Sequence, residues 1–295
     1  VNSRSMQSMI VLPGNNAFGS DLSGLDFLNA SVADIAFVRQ AWLTHGVLRF
    51  RNCNIDAATQ VAFARRFGDL DFNPGTRLTG RIYVAGYPEL VCVSNIVEDG
   101  VPIGELGAGE ADWHTDMCFV DVPPAASLLR AIEVPSEGGN TSFLDMAGML
   151  DALPEGLRHE IAGLSIKHDG VYASSGKQRA GTTAPASGDI RDISGAVHPI
   201  VQMHPETGRS VLYLGKRFNA YVVGLSISES EGLLDRLWTQ VLAAPSRYVW
   251  TQSWRVGDMI MWDNRRTMHR REAFDSSSRR LLHRAVVKGQ RVLPG

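Results

Sequence analysis

The chain has 295 residues, 44% of them apolar and 20% charged, enough to bury a sizeable core. Its 29 basic residues against 31 acidic ones leave a net charge of −2, which gives no reason to expect nucleic acid or an anionic membrane as partner. Three widely spaced cysteines, Cys53, Cys92 and Cys118, with no CxxC, argue against a disulfide framework or a thiolate zinc site and make a reducing cytoplasm the expected location.

In chain order, "VNSRS" before Met6 is set aside as an expected expression remnant, and neither a secretory leader nor a run approaching the roughly 18 to 20 apolar residues of a membrane span is seen. "SVADIAFVRQAWLTHG" (31–46) spaces its apolar residues as a helix between a serine N-cap and a terminating glycine, and "VLRFRN" then reads as a strand. "DAATQVAFARRFGDL" (56–70) predicts a second helix, with Ala57, Val61 and Ala64 on one face, Phe63 and Phe67 beside it and Gly68 as its stop. Strand-like runs follow: "LVCVSNIV", "WHTDMCFV", "ASLLRAIEV", "TSFLDM", "LSIKHDGV", "SVLYLG", "YVVGLSI", "DMIMWD" and "LLHRAVVKG". Two helices interrupt them, 145–164, broken near Pro154, and 228–245, opened by a serine and closed by Pro245. Many short strands imply a sandwich or barrel, in one domain without repeats or a linker. Residues 170–195, and above all the Gly-, Ser- and Thr-rich 174–195, are expected to form a long surface loop of the kind that serves as an active-site lid, with plain disorder an equally good reading of that composition.

Within "WHTDMCFV", a strand would send His114 and Asp116 to the same side, roughly 7 Å apart at the backbone, so that both reach one ion. An imidazole and a carboxylate suit a divalent metal, and a second histidine would complete the two-histidine, one-carboxylate set that leaves positions open on Fe(II). His269, following the apolar "DMIMW" and a polar turn, is the candidate and would sit at the mouth of a barrel. An HxD alone is weak, since a histidine bonded to a neighbouring carboxylate explains it equally. Arg280 and Thr141 strengthen it. An iron that activates O2 needs extra electrons, which 2-oxoglutarate supplies by chelating through its keto acid end. Its far carboxylate needs a fixed cation, matched by an arginine fork, and a threonine hydroxyl adds a hydrogen bond.

With those residues in place, the sequence resembles the taurine dioxygenase and 2,4-D dioxygenase (TauD/TfdA) family of Fe(II)/2-oxoglutarate enzymes. The shared pieces are "FARRFGDL", "WHTDMCF", "PPAASLLRAIEVPSEGGNTSF", "HPIVQMHPETGRSVLYL", "WDNRRTMHR" and "RRLLHRAVVKG", in family order over about residues 33–290. The resemblance implies a mixed α/β fold whose core is a double-stranded β-helix, a cupin-like jelly roll, flanked by helices. It implies His114, Asp116 and His269 as iron ligands, and Arg280 with Thr141 as the grip on 2-oxoglutarate. Arg284 then matches the arginine that holds an anionic substrate, although a salt bridge to a protein carboxylate would also explain it. A homodimer or homotetramer is the family expectation. The pattern departs from the taurine enzyme at Asn73, where that enzyme has a histidine, and at Glu110, where an asparagine contacts the taurine amine. Both are assigned to substrate binding, and a substrate other than taurine follows. The intact Asp116 argues against a halogenase.

The implied reaction turns 2-oxoglutarate into succinate and CO2 while a substrate C–H is hydroxylated, with C–S or C–O cleavage where that carbon carries a sulfonate or an ether oxygen. Met117 and Phe218, with Trp113, Cys118 and Phe119, are the pocket-wall candidates, though an apolar residue near such strands is as well explained by core packing. The competing readings are a cupin-like metal protein that binds a small acid, a zinc hydrolase on the same three ligands, and an inactive structural relative. Arg280 with Thr141 disfavours the hydrolase, which has no use for them.

Overall fold

Ser31 and Asp34 each bond the other's backbone N–H, a capping box that starts helix α1 (Val32–His45). Gly46 ends it at φ 72°, where an added side chain would also collide with Phe18. Asp56 caps α2 (Ala57–Ala64), which is shorter than expected: the chain passes into turns before Gly68, so that glycine closes a turn and not the helix. The computed structural model describes residues 9–13, 18–71, 82–108, 111–173, 176, 178–179 and 181–295.

The strands that position the site are β1 (Val47–Phe50), β2 (Tyr87–Ser94), β3 (Ala111–His114), β4 (Ala126–Glu133), β5 (Thr141–Asp145), β6 (Val249–Gln252), β7 (Met259–Asp263), β8 (Thr267–Arg271) and β9 (Leu281–Val287). The other helices are α3 (Met146–Ala152), α4 (Glu155–Ile161), divided from α3 at Pro154 as expected, and α5 (Ile227–Leu242). Ser226 caps α5 in a box with Glu229, ahead of the expected serine at 228. With many strands and few helices, the fold is mixed α/β.

Among the described residues, a ten-stranded sheet runs Ile10–Pro13, Ser20–Ser23, β1, β7, β4, β9, β2, Tyr83–Val84, with Leu70–Asp71 beside β9 and Glu105–Leu106 beside β2. A four-stranded antiparallel sheet runs β3, β8, β5, β6. Alternation explains why β7 reads as a continuous apolar run. Met259 and Met261 face the cluster under α1 and α2, while Ile260 and Trp262 face the four-stranded sheet, so both sides of the strand are covered. Phe143 of β5 closes that second interface, fully buried with its ring 5.5 Å from Trp262. Leu233, Leu234, Leu237 and Trp238 of α5 bury against a third cluster that includes α3 and α4.

The expected strands "LSIKHDGV" and "SVLYLG" shorten to Ser165–Lys167 and Ser210–Leu212. "WHTDMCFV" needs the larger correction, because β3 stops at His114 and residues 116–119 form a turn with Met117 at φ 52°. The ladder to β8 changes register between Ala111 and His114, and the Thr115 N–H turns away to the Gly215 carbonyl at 3.0 Å. Within 170–195, the described residues bond back on themselves: Gly170 N–H donates to Ser194 O and Arg179 N–H to Val171 O, each at 2.7 Å. The three cysteines are buried and form no disulfide. Among the described residues no helix is long and apolar enough to cross a membrane.

His168, just beyond Ser165–Lys167, is buried with neither ring nitrogen hydrogen-bonded among the described residues, and burial, then His198 and Lys216, push its pKa down to about 3. An unfolded chain takes up that proton from about pH 6.5 downward, whereas the folded protein resists it until near pH 3. The stability associated with neutral His168 is therefore complete above pH 6.5 and is lost on acidification, by at most about 1.4 kcal/mol per pH unit. Thermal unfolding from pH 7 to 4 should show a falling Tm whose slope is shallower in His168→Phe. Equal slopes would clear His168 of the effect.

Candidate metal centre

β3 and β8 pair so that His114 lies opposite His269, their ring centroids 4.2 Å apart. His114 Nδ1 is 2.7 Å from the Asp112 carbonyl, so its N–H donates there and Nε2 carries the lone pair inward. His269 packs against Phe143 and Trp262, which fix its plane. Asp116 is not on the strand with His114, as the sequence implied, but in the turn beyond it, and it nonetheless reaches both imidazoles. Its Oδ1 lies 3.9 Å from His114 Nε2 and 3.8 Å from His269 Nε2, and one ligand atom from each of the three residues lies within 4.8 Å of the others. These separations are too long for hydrogen bonds and leave a gap between the three groups that a divalent ion would fill as each closes to about 2 Å from it.

The protonation states suit a metal as well. Burial lowers the pKa of His114 against the pull of Asp116, and burial together with His114 lowers that of His269 to about 3, so both imidazoles are neutral near pH 7. Burial would raise the Asp116 carboxyl, but the Arg284 guanidinium beside it holds it below its usual range. Two neutral imidazoles and one carboxylate form the donor set that suits Fe(II) and leaves coordination positions open.

Arg284, on β9, places Nη1 3.3 Å from Asp116 Oδ2, so the salt bridge foreseen as the alternative for this residue is present, while among the described residues its Nε has no hydrogen-bond partner. Arg280 immediately precedes β9: its N–H donates to Asn95 Oδ1 and its carbonyl accepts from Ser94 Oγ. Its side chain is 2% exposed, Nε has no hydrogen-bond partner, and among the described residues no carboxylate pairs with it. Burial, then Arg271, pushes its pKa down to about 9. Thr141 sits opposite Arg271 in the β5–β8 ladder and accepts a hydrogen bond from the Trp254 indole at 3.0 Å. A Cβ on the nearby Gly139 would touch Arg280 Nε at 3.4 Å, so the strand start carrying Thr141 lies against that guanidinium. Two buried arginines, a hydroxyl and an indole thus gather where an anion would be stabilised.

The pocket-wall candidates divide. Trp113 and Cys118 are buried, Trp113 within the α3–α5 core cluster, and Met117 and Phe119 are half-buried in the turn of Asp116. Phe218 is 47% exposed and packs edge-on against Tyr172 with the Lys216 ammonium above it. Asn73 and Glu110 lie outside the described residues. Arg271, Trp254 and Asn264 were not singled out in the sequence. Arg271 is readable only as a neighbour of His269, and Trp254 carries no motif.

The taurine catabolism dioxygenase TauD, TfdA family model matches residues 11–286. The chain belongs to this family. An (S)-phenoxypropionate/alpha-ketoglutarate-dioxygenase of Sphingobium herbicidovorans is 30% identical over 290 residues, covering 95% of this chain and 94% of the relative. An alpha-ketoglutarate-dependent 2,4-dichlorophenoxyacetate dioxygenase of Cupriavidus pinatubonensis is 31% identical, covering 95% and 98%. Among solved structures, a taurine dioxygenase from Burkholderia xenovorans superposes with a TM-score of 0.77 at 29% identity, covering 96% of this chain and 90% of that one. AAD-2 in complex with Mn(II) and N-oxalylglycine gives 0.75 at 30% identity, covering 96% and 98%. As a TauD/TfdA member the protein is an Fe(II)- and 2-oxoglutarate-dependent dioxygenase that consumes O2, not a zinc hydrolase or a cupin-like binding protein.

Proposed function

We propose that the protein oxidises a small anionic organic compound, with formation of succinate and CO2, inside a double-stranded β-helix made by the two facing sheets. The observation that carries this reading is the convergence of His114, Asp116 and His269 beside the buried Arg284, with Arg280 also buried and, among the described residues, its Nε without a hydrogen bond. The relatives named for phenoxypropionate and 2,4-dichlorophenoxyacetate support an acid as substrate.

His114, Asp116 and His269 would hold Fe(II), which when bound with 2-oxoglutarate and O2 supplies an oxidant strong enough to hydroxylate a C–H bond. The residues around it bind, orient and exclude water. Arg280, with the Thr141 hydroxyl, takes the distal carboxylate of 2-oxoglutarate. Arg284 keeps one edge on Asp116 and offers the other to the acid group of the substrate, which sets the substrate's carbon chain over the metal. The Arg179 guanidinium, 4.0 Å above the Phe119 ring, ties 170–195 to the turn of Asp116, which supports that segment as the cover over the site.

The test is a panel of small carboxylates, sulfonates and sulfate esters assayed for substrate-dependent succinate release at saturating Fe(II). With an accepted substrate, Arg284→Ala should raise its KM roughly 10- to 100-fold, the worth of a charge-assisted pair, and leave the 2-oxoglutarate KM nearly unchanged. Succinate release that ignores both iron and every acid tested would defeat the proposal.

A further inference from the structure

Asp116 presents a structural difficulty, because a metal ligand must be held still and yet this one lies past the end of its strand. The β3 ladder ends with His114 opposite His269, Thr115 bonds elsewhere, and Met117 is held at a positive φ that costs about 1–3 kcal/mol for a residue with a side chain. Asn264, between β7 and β8 and 1% exposed, supplies what the ladder does not. Its Oδ1 accepts from the Asp116 N–H at 3.0 Å, and its Nδ2 donates to the Asp116 carbonyl at 3.0 Å and to the Pro124 carbonyl at 3.2 Å. Its own backbone N–H donates to Ala125 O at 3.0 Å. One side-chain amide therefore engages both the donor and the acceptor of a single residue, the pattern a strand neighbour would provide.

The rest of this turn, which carries the chain from one sheet to the other, is anchored too. Arg265 pairs with Asp263 and Glu206, and Arg266 grips Asp145 with both Nε and Nη2. His269 stands on β8, the strand that leaves this turn. The amide thus locks the carboxylate ligand to the rigid element that carries the second histidine, while Arg284 and, weakly, Ser127 Oγ at 3.5 Å touch the carboxylate itself.

We propose that Asn264 is a positioning residue of the metal centre, acting through the Asp116 backbone so that the carboxylate stays aimed between the two imidazoles. This rests on reading His114, Asp116 and His269 as the metal ligands. The probe is Mn(II) alone, titrated into the full chain without cosubstrate and followed by loss of the free-ion EPR signal. Asn264→Ala should bind Mn(II) about 10- to 100-fold more weakly than wild type, the usual effect of losing a group that orients a ligand. Because the substitution also strips partners from buried backbone groups, Leu237→Ala in the α5 core serves as a control that is destabilised without touching the centre. If a structural role were all that Asn264 has, the two variants, compared well below their Tm, would bind Mn(II) like wild type, and the proposal would be overturned. Should Asn264→Ala not fold, Asn264→Ser gives the same readout. If wild type itself binds no Mn(II), the metal reading fails, an outcome separate from wild type and Asn264→Ala binding equally.

Discussion

Asp116→Ala is expected to lower Fe(II)-dependent succinate formation by on the order of a thousandfold or more, with a matching loss of bound metal after dialysis. Asp116 is the one carboxylate of the cluster, and both imidazoles facing it are neutral. Removing it takes away a ligand and the negative charge that balances a divalent ion in a buried site. That is several kcal/mol of metal stabilisation, and each 1.4 or so is a factor of about ten. The metal-free protein should also lose about 1–3 kcal/mol, since Arg284 then stays buried beside two imidazoles without its counter-charge. His269→Ala should match the loss of metal without that Arg284 penalty. Iron content by elemental analysis, read beside thermal unfolding, separates the two effects, and an Asp116→Ala protein that retains iron like wild type would contradict the assigned centre.

Arg280→Met should move stability and cosubstrate use in opposite directions. The guanidinium is buried, its Nε is unbonded, and burial with Arg271 already drives its pKa down to about 9. An unpaired buried charge is a cost to the fold, so an apolar side chain of similar length should leave the metal-free protein as stable or more so. The same change removes the fork for the distal carboxylate of 2-oxoglutarate. Two charge-assisted hydrogen bonds correspond to a 2-oxoglutarate KM raised roughly 100- to 1000-fold, with the KM of the oxidised substrate far less affected. Thermal melts with and without 2-oxoglutarate decide it: wild type should be stabilised by the cosubstrate and Arg280→Met should not. A variant that melts lower than wild type and still responds to 2-oxoglutarate would show that Arg280 is structural.

Much of this was legible in the linear chain, because the relevant signals are local. A serine before an apolar period and a glycine after it marked α1, Pro154 marked the break between α3 and α4, and apolar runs with turn residues at their ends marked β4, β5, β7 and β9. The candidate ligands His114, Asp116 and His269 were also readable, by type and by the resemblance they carry, and the structure brings them together. What local signals could not convey was how each ligand is held. Periodicity placed Asp116 on a strand, whereas long-range bonds end that strand at His114: Gly215 captures the next N–H, and Asn264, distant in sequence, captures Asp116.

By itself the sequence determined the class of protein, most of the elements and the identity of the chemical groups, since caps, breaks and donor types are properties of neighbouring residues and their side chains. Only the tertiary structure decided that Arg284 leans on Asp116, that Arg280 and Arg271 are buried close enough to interact, and that an asparagine between two strands bonds the Asp116 backbone. Those facts depend on packing two sheets face to face, which brings together residues whose separation along the chain carries no trace of their contact.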